Sequence, residues 1–365
     1  MTIPDSPRST YSSVNTVKLF FKGVLKNRLT LPLTVLFIVV VQNILTTPTF
    51  FDISITNGLL SGYIPNILDQ ASMLVIVTLG MTLVTAVSGG QDISVGAIMA
   101  IAASCCGLLL NGPNYRTDAF HSPYILAILF GLFGGALCGA FNGFMVAFLK
   151  IQPMIASLIL FTAGRSIGKI ITYGQTIYQM NPAFKYLGVQ IPGVPIRTTI
   201  IATVIVILLV TLVIKLTSLG LYIESIGVNS SASRLVGLNS TAIKFMVFVI
   251  CGMLAGFAGL VASSRIGSVN SGELGLGIEM DAILAVALGG NMLSGGRFSI
   301  AGPVIGAYTI QSITTTLYAM NVRADHLHVY KALIIILIIV VNNDVFKEKA
   351  QKLYNKVSGK KCVDG

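Results

Sequence analysis

The chain has 365 residues, 54 % of them hydrophobic and 10 % charged, with a mean hydropathy of +0.84. Two soluble domains would fit that length, but this composition cannot make a soluble surface, so it describes a polytopic membrane protein. The net charge of +11 is carried by Lys and Arg placed beside apolar spans rather than in a stripe with interleaved aromatics, which excludes a nucleic-acid partner and points to membrane orientation.

About 20 apolar residues span a bilayer. The first such segment, roughly 31–45, follows a head (residues 1–28) holding Arg8, Lys18, Lys22, Lys26 and Arg28. The apolar stretch has no small-residue cleavage pattern and leads into further spans, so it reads as an uncleaved first helix. The second span, 64–87, carries Asp69 and Gln70 near its outer end and stops at a polar knot. A third runs from Ser94 to Leu110, ahead of the turn signal Asn111-Gly112-Pro113. The fourth, 124–149, has small residues at Gly131, Gly134, Gly135, Gly139 and Gly143 that permit close helix approach. Pro153 opens the fifth at a favourable first-turn position. This span holds Arg165 and Lys169 on one face, and charges at that depth need a partner, a water-filled path or the interface.

An outer loop, 172–197, leads to the sixth span, 198–216. The polar interval 217–242 follows, and its centre reads as a short helix outside the bilayer. Further spans are expected at 243–263, 280–288, 300–319 and 328–341. A tail from 342 to 365 ends the chain with six Lys. The fold class is therefore all-α and polytopic, with about ten transmembrane helices in a transmembrane domain over 29–341.

The second span's knot recurs 200 residues later. Gly89, Gly90, Ser94 and Gly96 fall on Gly289, Gly290, Ser294 and Gly296, with Gln91 over Asn291, giving GG-[QN]-x-[IL]-S-x-G twice. Paired glycines let a helix unwind at positive φ, and the neighbouring polar residues can bond the backbone groups released. Broken helices at matching positions of two halves are a transporter signature.

Ten spans put both termini on one side. With the N-terminus inside, inner segments hold sixteen Lys and Arg and outer segments four, which predicts cytoplasmic termini. Both knots and the 217–242 interval then lie at the cytoplasmic side. No G-x-x-x-x-G-K-[ST] loop is present, so the chain does not hydrolyse ATP by itself. Its cysteines show no C-x-x-C and no zinc spacing, and buried thiols are expected.

Three stretches in order, GMTLVTAVSGGQDISVGAIMA from Gly80, LKIQPMIASLILFTAGR from Leu149 and MDAILAVALGGNMLSGGRFSIAG from Met280, resemble the membrane permease of bacterial ABC sugar importers of the ribose type. The stretches LKIQP, AGR and GGRF are most similar to the galactofuranose permeases of that group. The resemblance covers about 60–341. It implies an importer of two permease subunits, alike or different, with two cytoplasmic ATPase subunits that bind ATP and Mg, and an extracytoplasmic sugar-binding protein. It also implies that Ser231, Ala232, Arg234, Leu235 and Gly237 belong to a coupling segment that inserts into the ATPase. The family usually has Glu where Ser231 stands, which removes any ion pair from that position.

Asp92, Asn142, Arg165 and Asp281 are the polar groups expected nearest a sugar path. A structural reading instead gives Asn142 to helix packing, Arg165 to a pair with Asp281, and Asp92 to capping the helix that starts near Ser94. A permease for branched-chain amino acids or nucleosides would share this architecture. An ion-coupled secondary transporter fits the broken helices but would not need the 217–242 helix.

Overall fold

A computed structural model of the chain describes residues 30–342, apart from 47–49, 57, 113–115, 118–119 and 180. The basic head and the Lys-rich tail, whose charges carry most of the orientation argument, lie outside the described residues.

Twelve α-helices occur among them: α1 (Thr30–Thr46), α2 (Tyr63–Ser88), α3 (Val95–Asn111), α4 (Tyr124–Ala147), α5 (Pro153–Ile171), α6 (Thr198–Leu216), α7 (Leu219–Val228), α8 (Ser230–Leu235), α9 (Ser240–Ile266), α10 (Ile278–Leu288), α11 (Ala301–Ala319) and α12 (Ala324–Asn342). Ten coincide with the apolar segments of the sequence, and the polar interval folds as two short helices, α7 and α8, rather than one. Five helices, α2, α4, α5, α6 and α9, are by length and composition able to cross a membrane. Short strands decorate the bundle. β1 (Ser54–Thr56) pairs antiparallel with β2 (Leu59–Ser61). A second sheet has the order β3 (Arg116–Thr117), β4 (Ile177–Gln179), β5 (Ser268–Val269).

Helix α2 is apolar all round and buried along nearly its whole length, as a helix at the centre of a membrane bundle must be. In contrast, α4, α5 and α6 each keep a broad face outward. The Gly stripe of α4 decides how that helix packs. A Cβ on Gly135 would stand 2.6 Å from the Gly252 carbonyl oxygen of α9, and one on Gly139 would collide with the Phe248 carbonyl. Gly252 answers from the other side, with the Gly139 Cα 2.7 Å from where its own Cβ would be. The backbones of α4 and α9 therefore touch, which no larger residue permits. Gly139→Val is expected to destabilise the fold by roughly 1–3 kcal/mol through overpacking. Thermal unfolding in detergent checks this, and a midpoint equal to wild type would show that the two helices separate freely.

A buried carboxylate joins three elements. Asp69 of α2 is fully buried and pairs with Arg197 Nη1 (3.1 Å), just ahead of α6, and Arg265 Nε (3.3 Å) of α9. Thr199 Oγ1 donates to its other oxygen. Cys106 and Cys251 are buried free thiols, as expected, while Cys105 and Cys138 are half-buried.

Candidate functional site

The first knot is a capped break. Helix α2 ends at Gly89, whose φ of 65° is left-handed and whose N–H bonds Thr85 O. Two residues past the glycine pair, Asp92 turns inward and accepts from Ser94 N (2.9 Å) and Ser94 Oγ (2.6 Å), closing an Asx turn ahead of α3. The N-cap of α3 is Ser94, and no side chain bonds the first-turn N–H groups, so Asp92 does not cap the helix as the structural reading had it. Asn142 of α4 donates to Ser94 Oγ at 2.7 Å and to both Asp92 oxygens at 3.3 Å. Ser157 Oγ of α5 accepts from Ile93 N at 3.0 Å. Asp92, Ser94, Asn142 and Ser157 are each fully buried, and together they tie α3, α4 and α5 to the point where α2 stops.

Similar sequence gives different chemistry in the second knot. Here Gly290, not Gly289, takes positive φ (77°), and Gly289 ends α10 in right-handed conformation. A Cβ on Gly289 would collide with Gly302 and Pro303 at the start of α11. Asn291 closes its own loop, donating from Nδ2 to Ser299 O and accepting from Ser299 N, each at 2.9 Å. Met292 stands where the first knot has Asp92, so no carboxylate turn forms at this break.

The two knots meet, which the sequence repeat did not disclose. Gly296 N donates to Ala86 O at 2.9 Å, satisfying a carbonyl released where α2 unwinds. A Cβ on Gly89 would stand 2.7 Å from Ser294 O, so only glycine admits the crossing. The groups released by unwinding are thus met partly by the other knot's backbone, besides the polar side chains expected to serve them. Gly96 has a separate task, because a Cβ there would strike the Glu279 carboxylate and the Gly275 carbonyl.

Arg165 does not pair with Asp281. Its guanidinium donates to the carbonyls of Leu274 (3.0 Å), Gly275 (3.3 Å) and Gly272 (3.4 Å), so its planar fork holds the turn before α10. Lys169, one turn on, is exposed. Asp281 instead binds Lys331 Nζ of α12 at 2.7 Å. A 50-residue separation carries no periodic signal by which a sequence could show that pair.

Asp281 lines a cavity of about 610 Å³, as do Gln70, Asn270, Glu273 and Gln311; Asp92, Asn142 and Arg165 do not. Gln311 Nε2 donates to Gln70 Oε1 at 3.1 Å across the two halves of the bundle. Amides and carboxylates of this kind offer donors and acceptors to a neutral polyol, and their alignment from α2, α10 and α11 could not be read from spacing.

The polar interval packs against the knots. A Cβ on Gly227 of α7 would collide with Ala86 O and stand 2.6 Å from Gly296 N, so α7 rests on both knots at once. Asn229 Oδ1 then accepts from Ser231 N and Ala232 N, each at 3.0 Å, and starts α8. Arg234 folds back, donating from Nε to Ser240 Oγ (2.6 Å) and from Nη2 to Thr241 Oγ1 (3.2 Å). Leu235 and Val236 are left 90 % and 78 % exposed, forming an apolar tip. Gly237 follows at φ 87°, a left-handed exit from α8.

A helical bundle that breaks two membrane helices at facing knots and holds a polar cavity between its helices defines a membrane transport protein. The chain belongs to the family described as the permease component of branched-chain amino acid transport systems, whose model matches residues 63–342. It is 35 % identical over 315 residues to the galactofuranose transporter permease of Escherichia coli (strain K12), covering 86 % of this chain and 89 % of that one. A fructose import permease of Bifidobacterium longum (strain NCC 2705) is 34 % identical, covering 92 % and 91 %. The ribose import permease of Escherichia coli (strain K12) is 33 % identical, covering 92 % and 99 %. No solved structure matches the chain. The chain is a multi-pass permease, and the likeness of its motifs to ribose-type and galactofuranose permeases extends over most of its length.

Proposed function

We propose that this chain is the membrane subunit of an ATP-driven importer that carries a simple sugar, of the galactofuranose, galactose or ribose kind, across the cytoplasmic membrane by alternating access. The ten helices other than α7 and α8 form the membrane-crossing segments in this reading, and both termini are cytoplasmic. Two permease subunits, this chain with a copy or a second permease, associate with two ATPase subunits that bind ATP and Mg. A sugar-binding protein delivers substrate from outside.

The observation that carries the reading is the seating of α7 on both knots. Force applied at α8 by a docked ATPase reaches the broken ends of α2 and α10 through backbone contacts, without any side chain having to reorient. Docking would rest on the exposed Leu235 and Val236, since Arg234 already spends two donors inside the chain. The sugar path would run by Gln70, Gln311 and the Asp281–Lys331 pair. Carboxylates and amides in that cavity suit hydroxyl groups and disfavour the carboxylate of an amino acid, which supports a sugar over the branched-chain amino acids.

Proteoliposomes containing the permease, its ATPase and its binding protein test this. Sugar-stimulated ATP hydrolysis and labelled-sugar uptake are expected, and Gly237→Val together with Leu235→Asp should abolish stimulation while leaving binding-protein docking intact. Uptake without ATP, driven by an ion gradient, would replace the reading with a secondary transporter. Stimulation by leucine and not by sugars would replace the substrate.

A further inference from the structure

A second polar cavity, of about 370 Å³, lies where the α4–α5 corner meets α8 and the start of α9. Its lining includes Lys150, Arg234 and Lys244, with hydroxyls from Ser88 and Ser231 and the amide of Gln152, and contains no acid. Among the described residues, neither the Lys150 nor the Lys244 ammonium has a hydrogen-bond or ion-pair partner. Lys244 is half-buried, and a charge removed from water without a counter-ion is unfavourable. Lys150 sits at φ 57°, a left-handed helix-exit position where glycine is the usual residue, so a cationic side chain is kept where the backbone favours none. Lys150 and Arg234 are exposed and Lys244 is half-buried, so three cations with no acid among them make this pocket a positive site open to an anion.

The surroundings say which anion. Phe144 and Phe148 stack at 5.5 Å, and Phe245 meets Phe148 edge-on at 5.9 Å. Phe144, Phe148 and the adjoining Leu149 are about half exposed, at and just past the end of α4, a helix long and apolar enough to cross a membrane. A phenyl face running from a cationic pocket along membrane helices has the form of a phospholipid, with a phosphate at one end and acyl chains along the rings. A carboxylate from a docked soluble subunit would also meet the cations but would leave the phenyl face without a role.

We propose that this cavity binds the headgroup phosphate of an anionic phospholipid from the surrounding bilayer. The inference rests on the chain's being a membrane protein and not on its carrying a sugar. Because Ser231 and Arg234 belong to the polar interval, a bound headgroup ties α8 to the α4–α5 corner.

Native mass spectrometry of the full complex, extracted in mild detergent, tests it. Wild type is expected to retain phosphatidylglycerol or cardiolipin. The double variant Lys150→Gln, Lys244→Gln should retain about tenfold less or lower still, as expected for removing two cations near an anionic surface. Retention of phosphatidylethanolamine should not change, and the Lys150→Arg, Lys244→Arg pair should restore anionic lipid. Unfolding midpoints show whether each variant is folded. Equal anionic-lipid retention by wild type and the Gln variant overturns the proposal. So does displacement of the adduct by excess inorganic phosphate, which would assign the pocket to a free anion. Loss of the ATPase subunit with lipid unchanged would assign the cations to an acidic protein surface, and also overturns it.

Discussion

Asp69→Ala is expected to lower stability by about 3–5 kcal/mol, the range for removing one partner from a buried ion pair. The loss is not that of a surface salt bridge, because Asp69 is fully buried and both guanidinium groups are under a third exposed. Deleting the carboxylate leaves two cations facing each other across a space without an anion. It also frees three elements at once, since α2, the start of α6 and α9 meet at that one side chain. Asp69→Asn keeps an oxygen for Thr199 and should cost less than the alanine variant. Gln70, next in sequence, lines the larger cavity and bonds Gln311, so sugar uptake should fall along with stability. Thermal denaturation of the purified permease, with uptake in parallel, reads both effects. A midpoint for Asp69→Ala equal to wild type would mean that the two arginines are held by solvent and that the network is incidental.

Gly227→Val should cut sugar-stimulated ATP hydrolysis tenfold or more, which corresponds to about 1.4 kcal/mol at the step that couples the subunits. No side chain fits at 227, because its Cβ would meet the backbone of both knots. The variant must lift α7 away from Ala86 and Gly296, breaking the path proposed above for motion from α8 to α2 and α10. Gly227→Ala should give an intermediate loss. Binding-protein docking and membrane insertion depend on other surfaces and should survive, which separates uncoupling from misfolding. If stimulation by Gly227→Val were complete, motion would have to enter the bundle elsewhere.

How much of this was legible in advance follows from the range of the interactions. The apolar runs, the glycine stripe of α4 and the polar interval after α6 are local features. Each is set by the physics of a segment in hydrocarbon, where backbone groups must be bonded within a helix and small residues are needed for close packing. Their positions therefore agree with the helices to within a few residues. The repeated GG-[QN]-x-[IL]-S-x-G marked both breaks for the same reason, since glycine takes the left-handed exit without the steric cost that other residues incur.

What needed the tertiary structure were pairings between segments far apart in the chain. Arg165 was expected near Asp281, but the turn at 272–275 brings three carbonyls within its reach, and Lys331 takes the acid from another helix. Asp92 and Asn142 share one buried network with Ser94 instead of lining the larger cavity, because α4 crosses directly beneath the first knot. Asp69 was visible only as an acid near a helix end. Its two arginines come from 128 and 196 residues further along, a distance at which no pattern survives. The sequence alone determined that the chain would break two membrane helices at matching places. Only the fold decided that the breaks would meet, because a carbonyl freed at Ala86 is satisfied by whichever N–H the packing brings to it, here Gly296.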